Sequence, residues 1–288
     1  MRNFGEDTIT QAVIDRIGNA KDPRVKRVSE ALVRHLHSFV REVEPSQREW
    51  EFAIDFLTRV GHMCTGARQE FILLSDTLGV SMLVDAINHR LPGNATETTV
   101  LGPFYVGQPP ELALGADISH GETGPRLMVE GSVHSDDGKP LANVIVDTWH
   151  SDADGYYDVQ KDDGADSLTL RARFRTDQNG RFWFQSIVPS FYPIPDDGPV
   201  GQMLTAQGRH PYRPAHVHFM IASPGYETLV THVFIAGDKY LDSDVVFGVK
   251  DKLIRELEPL PAEQNGAAFR LRYDFVLARS AGGKAAAG

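Results

Sequence analysis

The chain is poor in cysteine, in long apolar runs and in basic residues. Its single cysteine, Cys64, excludes an internal disulfide and any metal site built from several thiolates. No apolar run is long enough to cross a bilayer, and the first residues lack the apolar core of a signal peptide, so we expect a cytoplasmic protein without a membrane span. Because 29 Lys and Arg face 39 Asp and Glu, the net charge of −10 argues against nucleic acid as a partner.

The first third of the sequence has the apolar pattern of helices. Up to about residue 95, apolar residues recur every three or four positions. The first predicted helix begins at Asp22-Pro23, and a second begins at the capping box of Ser46 and Glu49. A third is predicted over residues 67–90, with Gly79 as its weak point. We therefore predict an all-α helical domain over residues 1–95.

The rest of the sequence has the pattern of strands. Apolar and polar residues alternate in the segments 127–133, 144–149, 168–174 and 269–275, and turn sequences separate them. One further helix is predicted near residues 243–257, and the small residues of 280–288 predict a disordered tail. The predicted fold class is therefore mixed but mainly β, with a β-sandwich domain over residues 96–279, a barrel being the alternative.

Two histidines one residue apart are the strongest chemical signal. They lie in the run from Arg213 to Phe219, and on a strand His216 and His218 would point to the same face. Two imidazoles on one face form a ready pair of metal ligands. The alternative interpretation is a polar strand face with two solvated histidines.

The other ligands that the chain offers are tyrosines. A cupin-type carboxylate is missing after the histidine pair, where Ala222 and Ser223 stand. Tyrosines occur instead at 156 and 157, after Gly155, and at Tyr192 inside a proline-bounded loop. Phenol is a poor ligand for divalent metals because its pKa lies near 10, whereas a strongly acidic ferric ion stabilises phenolate. Each tyrosine could instead be a packing residue.

Several motifs in one order resemble the intradiol ring-cleaving dioxygenases. They are Leu101 to Tyr105, Gly155-x-Tyr157, the loop at Tyr192, Gly208 to His210, Arg213 to His218, and Ala236 to Leu241. The resemblance covers nearly the whole chain and implies a β-sandwich catalytic domain with Fe(III). Its iron ligands fall on Tyr157, Tyr192, His216 and His218, with Tyr156 as the alternative to its neighbour.

The resemblance also implies the residues that act on the substrate. Arg213 would stabilise negative charge developing on the ring, unless it forms a surface ion pair, and Tyr192 would leave its axial position and accept a substrate proton. The matching substrate-binding positions are Leu73, Asp76, Val100, Leu101, Gly102, Pro103, Phe104, Ile194 and Pro195. The substrates are then a small aromatic diol or triol and dioxygen.

Two positions bear on the choice of substrate. The segment from Phe191 to Gly201, and His232 where catechol enzymes usually carry glutamine, resemble the branch that cleaves hydroxyquinol. Asp76 is predicted to bind the third hydroxyl of this triol, unless it is an exposed helical residue. His232 would contact the substrate or support the site, or be a core histidine. Cleavage of catechol or a chlorocatechol is the alternative activity.

The resemblance predicts an assembly as well. Members of the family dimerise through their N-terminal helices, which predicts a homodimer built on residues 1–95, with a phospholipid held between the helices. A competing interpretation is a sandwich binding module without iron and without catalytic activity. Such a protein would be colourless, whereas phenolate on ferric iron gives a red protein.

Overall fold

The computed structural model describes residues 3–66, 68–91, 93–161, 168–261 and 266–280. The chain forms two compact units, residues 1–59 and residues 60–288. The domain boundary predicted at residue 95 rests on the change of sequence pattern and stays a prediction. Of the predicted tail, residues 281–288 lie outside the described residues. Within the described ranges, no helix has the length and apolar character that a membrane span requires.

The first unit is helical. It holds α1 (Ile9–Ile17), α2 (Pro23–Val43) and most of α3 (Gln47–Met63). The predicted start of α2 is confirmed, because the Asp22 carboxylate accepts the backbone N–H of Arg24 at 2.7 Å. The capping box is also confirmed: Ser46 N–H donates to the Glu49 carboxylate at 2.8 Å. Helix α1 was not predicted from the sequence; its N-cap residue, Thr8, makes no side-chain capping hydrogen bond.

The second unit begins with two short helices instead of the single helix predicted over residues 67–90. They are α4 (Glu70–Thr77) and α5 (Val80–Asn88), and residue 67 lies outside the described residues. Gly79 separates them with a φ of 72°, a left-handed conformation that cannot continue a right-handed helix. The chain therefore changes direction between α4 and α5 at Gly79, the residue that the sequence marked only as a weak point of a single helix.

The body of the second unit consists of two main sheets. The first has the order β10-β11-β1-β4 and the second β3-β2-β7-β8-β9, while β5 and β6 form a small ribbon. The strands are β1 (Arg126–Ser135), β2 (Ile145–His150), β3 (Arg171–Arg175), β4 (Arg181–Ile187), β5 (Tyr192–Pro193), β6 (Tyr212–Arg213), β7 (His216–Ala222), β8 (Leu229–Ile235), β9 (Ile254–Arg255), β10 (Glu258–Pro259) and β11 (Phe269–Leu277). The mainly β fold class is confirmed.

The core is formed by the inward residues of these strands. Val129, Val146, Phe184, Phe219 and Phe275 belong to one buried cluster. Their alternation with polar neighbours is the pattern from which the strands were predicted. Burial of this apolar surface stabilises the sandwich and leaves the opposite faces of the strands free to carry the polar side chains described below.

The helix predicted near residues 243–257 is wrong. This region contains two 3₁₀ turns, Leu241–Ser243 and Asp251–Leu253, followed by β9. The Asp244 carboxylate accepts the N–H of Gly248 at 2.9 Å, and Phe247 has a φ of 61°, so the local hydrogen bonds replace those of a helix. Conversely, α6 (Pro199–Ala206) forms in a segment for which the sequence predicted no helix.

Candidate active site

The two histidines of β7 lie on one buried face of the strand. His216 and His218 are each 1% exposed, so the interpretation as solvated residues does not hold. Their Nε2 atoms are 3.0 Å apart. His216 Nδ1 lies 2.7 Å from the Pro214 carbonyl oxygen, which only accepts, so Nδ1 carries the proton and Nε2 presents a lone pair. Burial lowers the pKa of both rings well below its usual value, and both are therefore neutral.

Two tyrosines join the histidine pair. Tyr157 is fully buried and its hydroxyl lies 3.0 Å from His218 Nε2. The Tyr192 ring is buried edge-on to the Tyr157 ring, with centroids 5.1 Å apart. Tyr156 is 56% exposed, so of the two adjacent tyrosines only Tyr157 reaches the cluster.

A glycine allows the two tyrosine segments to approach. Gly155 has a φ of 91°, and a Cβ there would stand 2.8 Å from the Phe191 carbonyl oxygen. Any side chain would therefore push apart the segments that carry Tyr157 and Tyr192. The Gly-x-Tyr spacing thus reflects a close backbone contact.

The donor atoms of this cluster fit a metal ion. Four side chains with lone-pair donor atoms converge here: His218 Nε2 lies 3.0 Å from both the Tyr157 hydroxyl and His216 Nε2, and the Tyr192 ring packs edge-on to the Tyr157 ring. Two imidazoles with two phenols suit a hard, strongly acidic ion. The residues able to hold it are His216, His218, Tyr157 and Tyr192.

Arg213 lies beside this donor set as a buried cation. Its Nε is 3.1 Å from Asp244 Oδ1, and its Nη1 is 3.4 Å from the Tyr192 hydroxyl. Burial disfavours the charge, but the attraction of Asp244, with smaller contributions from Tyr192 and Tyr157, raises the pKa of Arg213 above its usual value. With 2% exposure, Arg213 is not in a surface ion pair. Asp244 was not identified from the sequence, because it stands in the segment that was predicted to be helical.

His232 on β8 completes the polar cluster. Its ligand atom lies within 4.8 Å of those of His216 and His218, the one such group found among the described residues. Arg213 Nη2 lies 3.3 Å from His232 Nδ1, and a guanidinium only donates, so this nitrogen accepts and Nε2 carries the proton. In this tautomer His232 Nε2 carries a proton and has no lone pair to offer a metal ion, whereas His216 Nε2 presents one.

A cavity of about 430 Å³ opens beside the cluster. Of the residues assigned to the substrate from the sequence, it is lined by Leu73, Asp76, Pro103, Phe104 and Pro195. Phe104 connects it to the donor set, because its ring stacks on Tyr157 with centroids 4.4 Å apart. Further lining residues, which sequence reasoning missed, are Gly66, Arg68, Gln69, Glu70, Ile72, Tyr105, Val106, Val159 and Gln160.

The remaining assigned positions lie outside this lining. Ile194 is buried, Leu101 is exposed and Val100 is half-buried. Gly102 approaches the histidines directly, since a Cβ there would stand 3.3 Å from His218 Cε1. The linker, residues 100–105, thus passes close to the donor set at Gly102 and lines the cavity at Pro103 and Phe104.

Asp76 is one of two buried acidic residues that line the cavity, and the other, Glu70, is paired with Arg68. Asp76 is 6% exposed, so its interpretation as an exposed helical residue is wrong. Burial raises its pKa, while a hydrogen bond from Ser81 and the charge of Arg213 act in the opposite direction. A carboxylate in this position favours a ligand that donates a hydrogen bond.

Comparisons with known proteins cover nearly the whole chain. Residues 100–279 match the family model described as Dioxygenase, and residues 22–96 match the one described as Catechol dioxygenase N terminus. The 6-chlorohydroxyquinol 1,2-dioxygenase of Cupriavidus pinatubonensis is 51% identical over 96% of this chain and 99% of that protein. The hydroxyquinol 1,2-dioxygenase of a Rhizobium species is 47% identical, with 96% of each chain covered.

A solved structure shows the same likeness. The hydroxyquinol 1,2-dioxygenase from Pseudomonas putida matches with a TM-score of 0.90 and 46% identity, over 96% of this chain and 99% of that one. Both the sequence matches and the fold therefore extend over nearly the whole length. The chain belongs to the intradiol ring-cleaving dioxygenases.

Proposed function

We propose that this protein cleaves hydroxyquinol, benzene-1,2,4-triol, between its adjacent hydroxylated carbons with dioxygen. The product is 3-hydroxy-cis,cis-muconate, which tautomerises to maleylacetate. The observation that carries the proposal is the buried set of Tyr157, Tyr192, His216 and His218 beside a cavity that holds a buried carboxylate. The names of the relatives at 46–51% identity support the choice of the triol.

The cofactor in this proposal is Fe(III), held by the same two tyrosines and two histidines. When bound, the ferric ion withdraws electron density from the diol and so activates the ring towards dioxygen. Burial raises the pKa of Tyr157 well above its usual value, and the charges of Arg213 and Arg171 only partly oppose this, so its phenolate needs a further cation nearby. Two phenolates offset most of the charge of a ferric ion.

The side chains around the donor set handle protons and charge. The Tyr192 oxygen, as a phenolate, accepts a proton from one substrate hydroxyl. Arg213, fixed by Asp244, stabilises negative charge that develops on the ring. Phe104 and Leu73 line the cavity with apolar surface and exclude water. Asp76 accepts the hydrogen bond of the third hydroxyl.

The purified protein tests this function directly. We expect a red protein with about one iron per chain and broad visible absorption from phenolate on the ferric ion. It should consume hydroxyquinol and dioxygen in equal amounts and form the ring-opened acid, faster than it acts on catechol. His218→Ala, which removes one nitrogen donor, should lose both iron and colour. A colourless wild-type protein without iron would instead support a binding module.

We further propose that the protein is a homodimer through its N-terminal helices. Helix α2 has no buried residue, and its apolar side chains are about half exposed. These are Val25, Val28, Leu32, Leu36, Phe39, Val40 and Val43. An apolar stripe of this length on one helix favours a second copy of the chain, with a phospholipid between the helices, as the family resemblance implies.

Light scattering at micromolar concentration tests the assembly. We expect the mass of a dimer, and a monomer for Leu32→Glu combined with Leu36→Glu, because two buried carboxylates per chain oppose the contact. Arg34→Glu, also on α2, is the matched control because it changes charge without removing apolar surface. Lipid extraction followed by mass spectrometry should detect phospholipid in the wild type only. A wild-type monomer would contradict the proposal.

A further inference from the structure

Three arginines alternate along β3, the edge strand of the second sheet. Ala172 and Phe174, between them, are fully buried in the core, so Arg171, Arg173 and Arg175 project from the opposite face. The exposed fraction of their side chains rises along the strand, from 2% to 22% to 41%. Each arginine forms an ion pair with an acidic residue, but the three pairs differ in what else they touch.

Arg171 connects a tyrosine of the site to the wall of the cavity. Its Nε donates to Asp158 Oδ2 at 2.6 Å, and Nη2 donates to the other oxygen of the same carboxylate. Its remaining group, Nη1, donates to the Phe104 carbonyl oxygen at 3.0 Å. Asp158 directly follows Tyr157 in the chain, and the Phe104 ring stacks on the Tyr157 ring. One guanidinium therefore fixes both partners of this stack.

Arg173 makes the equivalent connection on the histidine side. It binds both oxygens of the fully buried Asp147, at 2.6 and 2.7 Å, and the Tyr105 hydroxyl donates to the same carboxylate at 3.0 Å. The Tyr105 ring packs against Trp149 with centroids 4.9 Å apart. Trp149 in turn stacks on His218, with centroids 4.5 Å apart and an interplanar angle of 14°.

These ion pairs are poorly explained by stability alone. Burying a salt bridge costs desolvation free energy, and well-packed apolar residues would stabilise the same space at least as well. A bidentate guanidinium, by contrast, fixes direction as well as distance. Arg175 differs from the other two arginines. It pairs with the half-exposed Glu111, and none of the contacts described for Arg175 leads to the donor set.

We propose that Arg171 and Arg173 are positioning residues. Arg171 holds Phe104 against the ring of Tyr157, and Arg173, through Asp147, holds Tyr105 against Trp149, which stacks on the ring of His218. The inference rests on the proposed function, in which Tyr157 and His218 bind the ferric ion. The consecutive residues Phe104 and Tyr105 are bound, directly or through Asp147, by Arg171 and Arg173. Strand β3 therefore aligns both the cavity wall and the rings packed against it. Displacing such a wall by about 1 Å can cost a hundredfold in rate.

The test compares lysine at all three positions in the iron-loaded enzyme. Lysine keeps the charge but cannot form the fork to a carboxylate. We expect Arg171→Lys and Arg173→Lys to lower kcat/KM for hydroxyquinol on the order of ten- to a hundredfold and to shift the visible absorption maximum, with iron content unchanged. Arg175→Lys, the matched control on the same strand, should retain the wild-type rate and spectrum.

A milder variant covers the case in which a lysine variant fails to fold. Tyr105→Phe removes only the hydroxyl that binds Asp147, and we expect a lower kcat/KM and a shifted band with an unchanged unfolding temperature. Wild-type spectra and rates in Tyr105→Phe, or in both lysine variants, would overturn the positioning role. A wild type that lacks iron, colour and diol cleavage would refute the proposed function itself, so the two failures are distinguishable.

Discussion

Replacing Tyr192 with phenylalanine is expected to lower kcat on the order of a hundred- to ten-thousandfold, the range that a positioned proton acceptor contributes. The change removes one phenolate and one site that accepts a substrate proton. It keeps the ring, which packs edge-on against Tyr157 and Phe104, so the fold should be retained. Steady-state rates and the visible spectrum measure the effect, and we expect the phenolate absorption to weaken.

The chain supplies a matched control for this substitution. Tyr156→Phe makes the same chemical change in an exposed neighbour of Tyr157 that does not reach the donor set. Its rate and colour should equal those of the wild type. If Tyr192→Phe also kept the wild-type colour and rate, the assignment of Tyr192 as ligand and proton acceptor would be refuted.

Replacing Asp76 is expected to change the choice of substrate. A hydrogen bond to a charged group contributes roughly 1.5–3 kcal/mol, which corresponds to about one to two powers of ten in kcat/KM. Asp76→Ala should lose this factor for hydroxyquinol, whose third hydroxyl then has no acceptor. Catechol lacks that hydroxyl and should react as before or faster, because its complex no longer leaves a buried carboxylate unpaired.

The measurement is the ratio of kcat/KM on hydroxyquinol to that on catechol, in the wild type and the variant. Catechol is the internal control, because general damage to the site lowers both rates and leaves the ratio unchanged. Asp76→Asn keeps the size of the side chain and tests the charge alone. An unchanged ratio in both variants would move the search for the specificity determinant to Ile194, Pro195 and His232.

The sequence was most informative where local geometry decides position. Period-two alternation placed His216 and His218 on one face, and the structure indeed brings their Nε2 atoms together. The Gly-x-Tyr spacing favoured Tyr157 over Tyr156 as the ligand, and Gly155 makes a close backbone contact with the segment that carries Tyr192. The start of α2 and the capping box before α3 are likewise local, and both were predicted correctly.

The sequence was least informative where tertiary contacts decide. Asp244 was wrongly predicted to lie in a helix. Its ion pair with Arg213 joins residues 31 positions apart, and such a contact leaves no local pattern in the sequence. Gly79 was noted as weak, but only its left-handed conformation shows that two helices form. The arginines of β3 could be seen as alternating, yet their partners Asp147 and Asp158 come from separate segments. Pairs of side chains from distant segments follow no periodic pattern in the sequence, so they cannot be predicted from it.

The pairing of β1 with β11 has a consequence for how the chain folds. These strands are parallel neighbours, with Leu127 opposite Phe269, so they join residues about 140 positions apart. All four proposed ligands lie in the chain between them. Closing a loop of this length is slow, and β1 cannot gain this neighbour until the ribosome has made nearly all of the second unit. We therefore expect the sandwich around the proposed ligands to close only after β11 has been made.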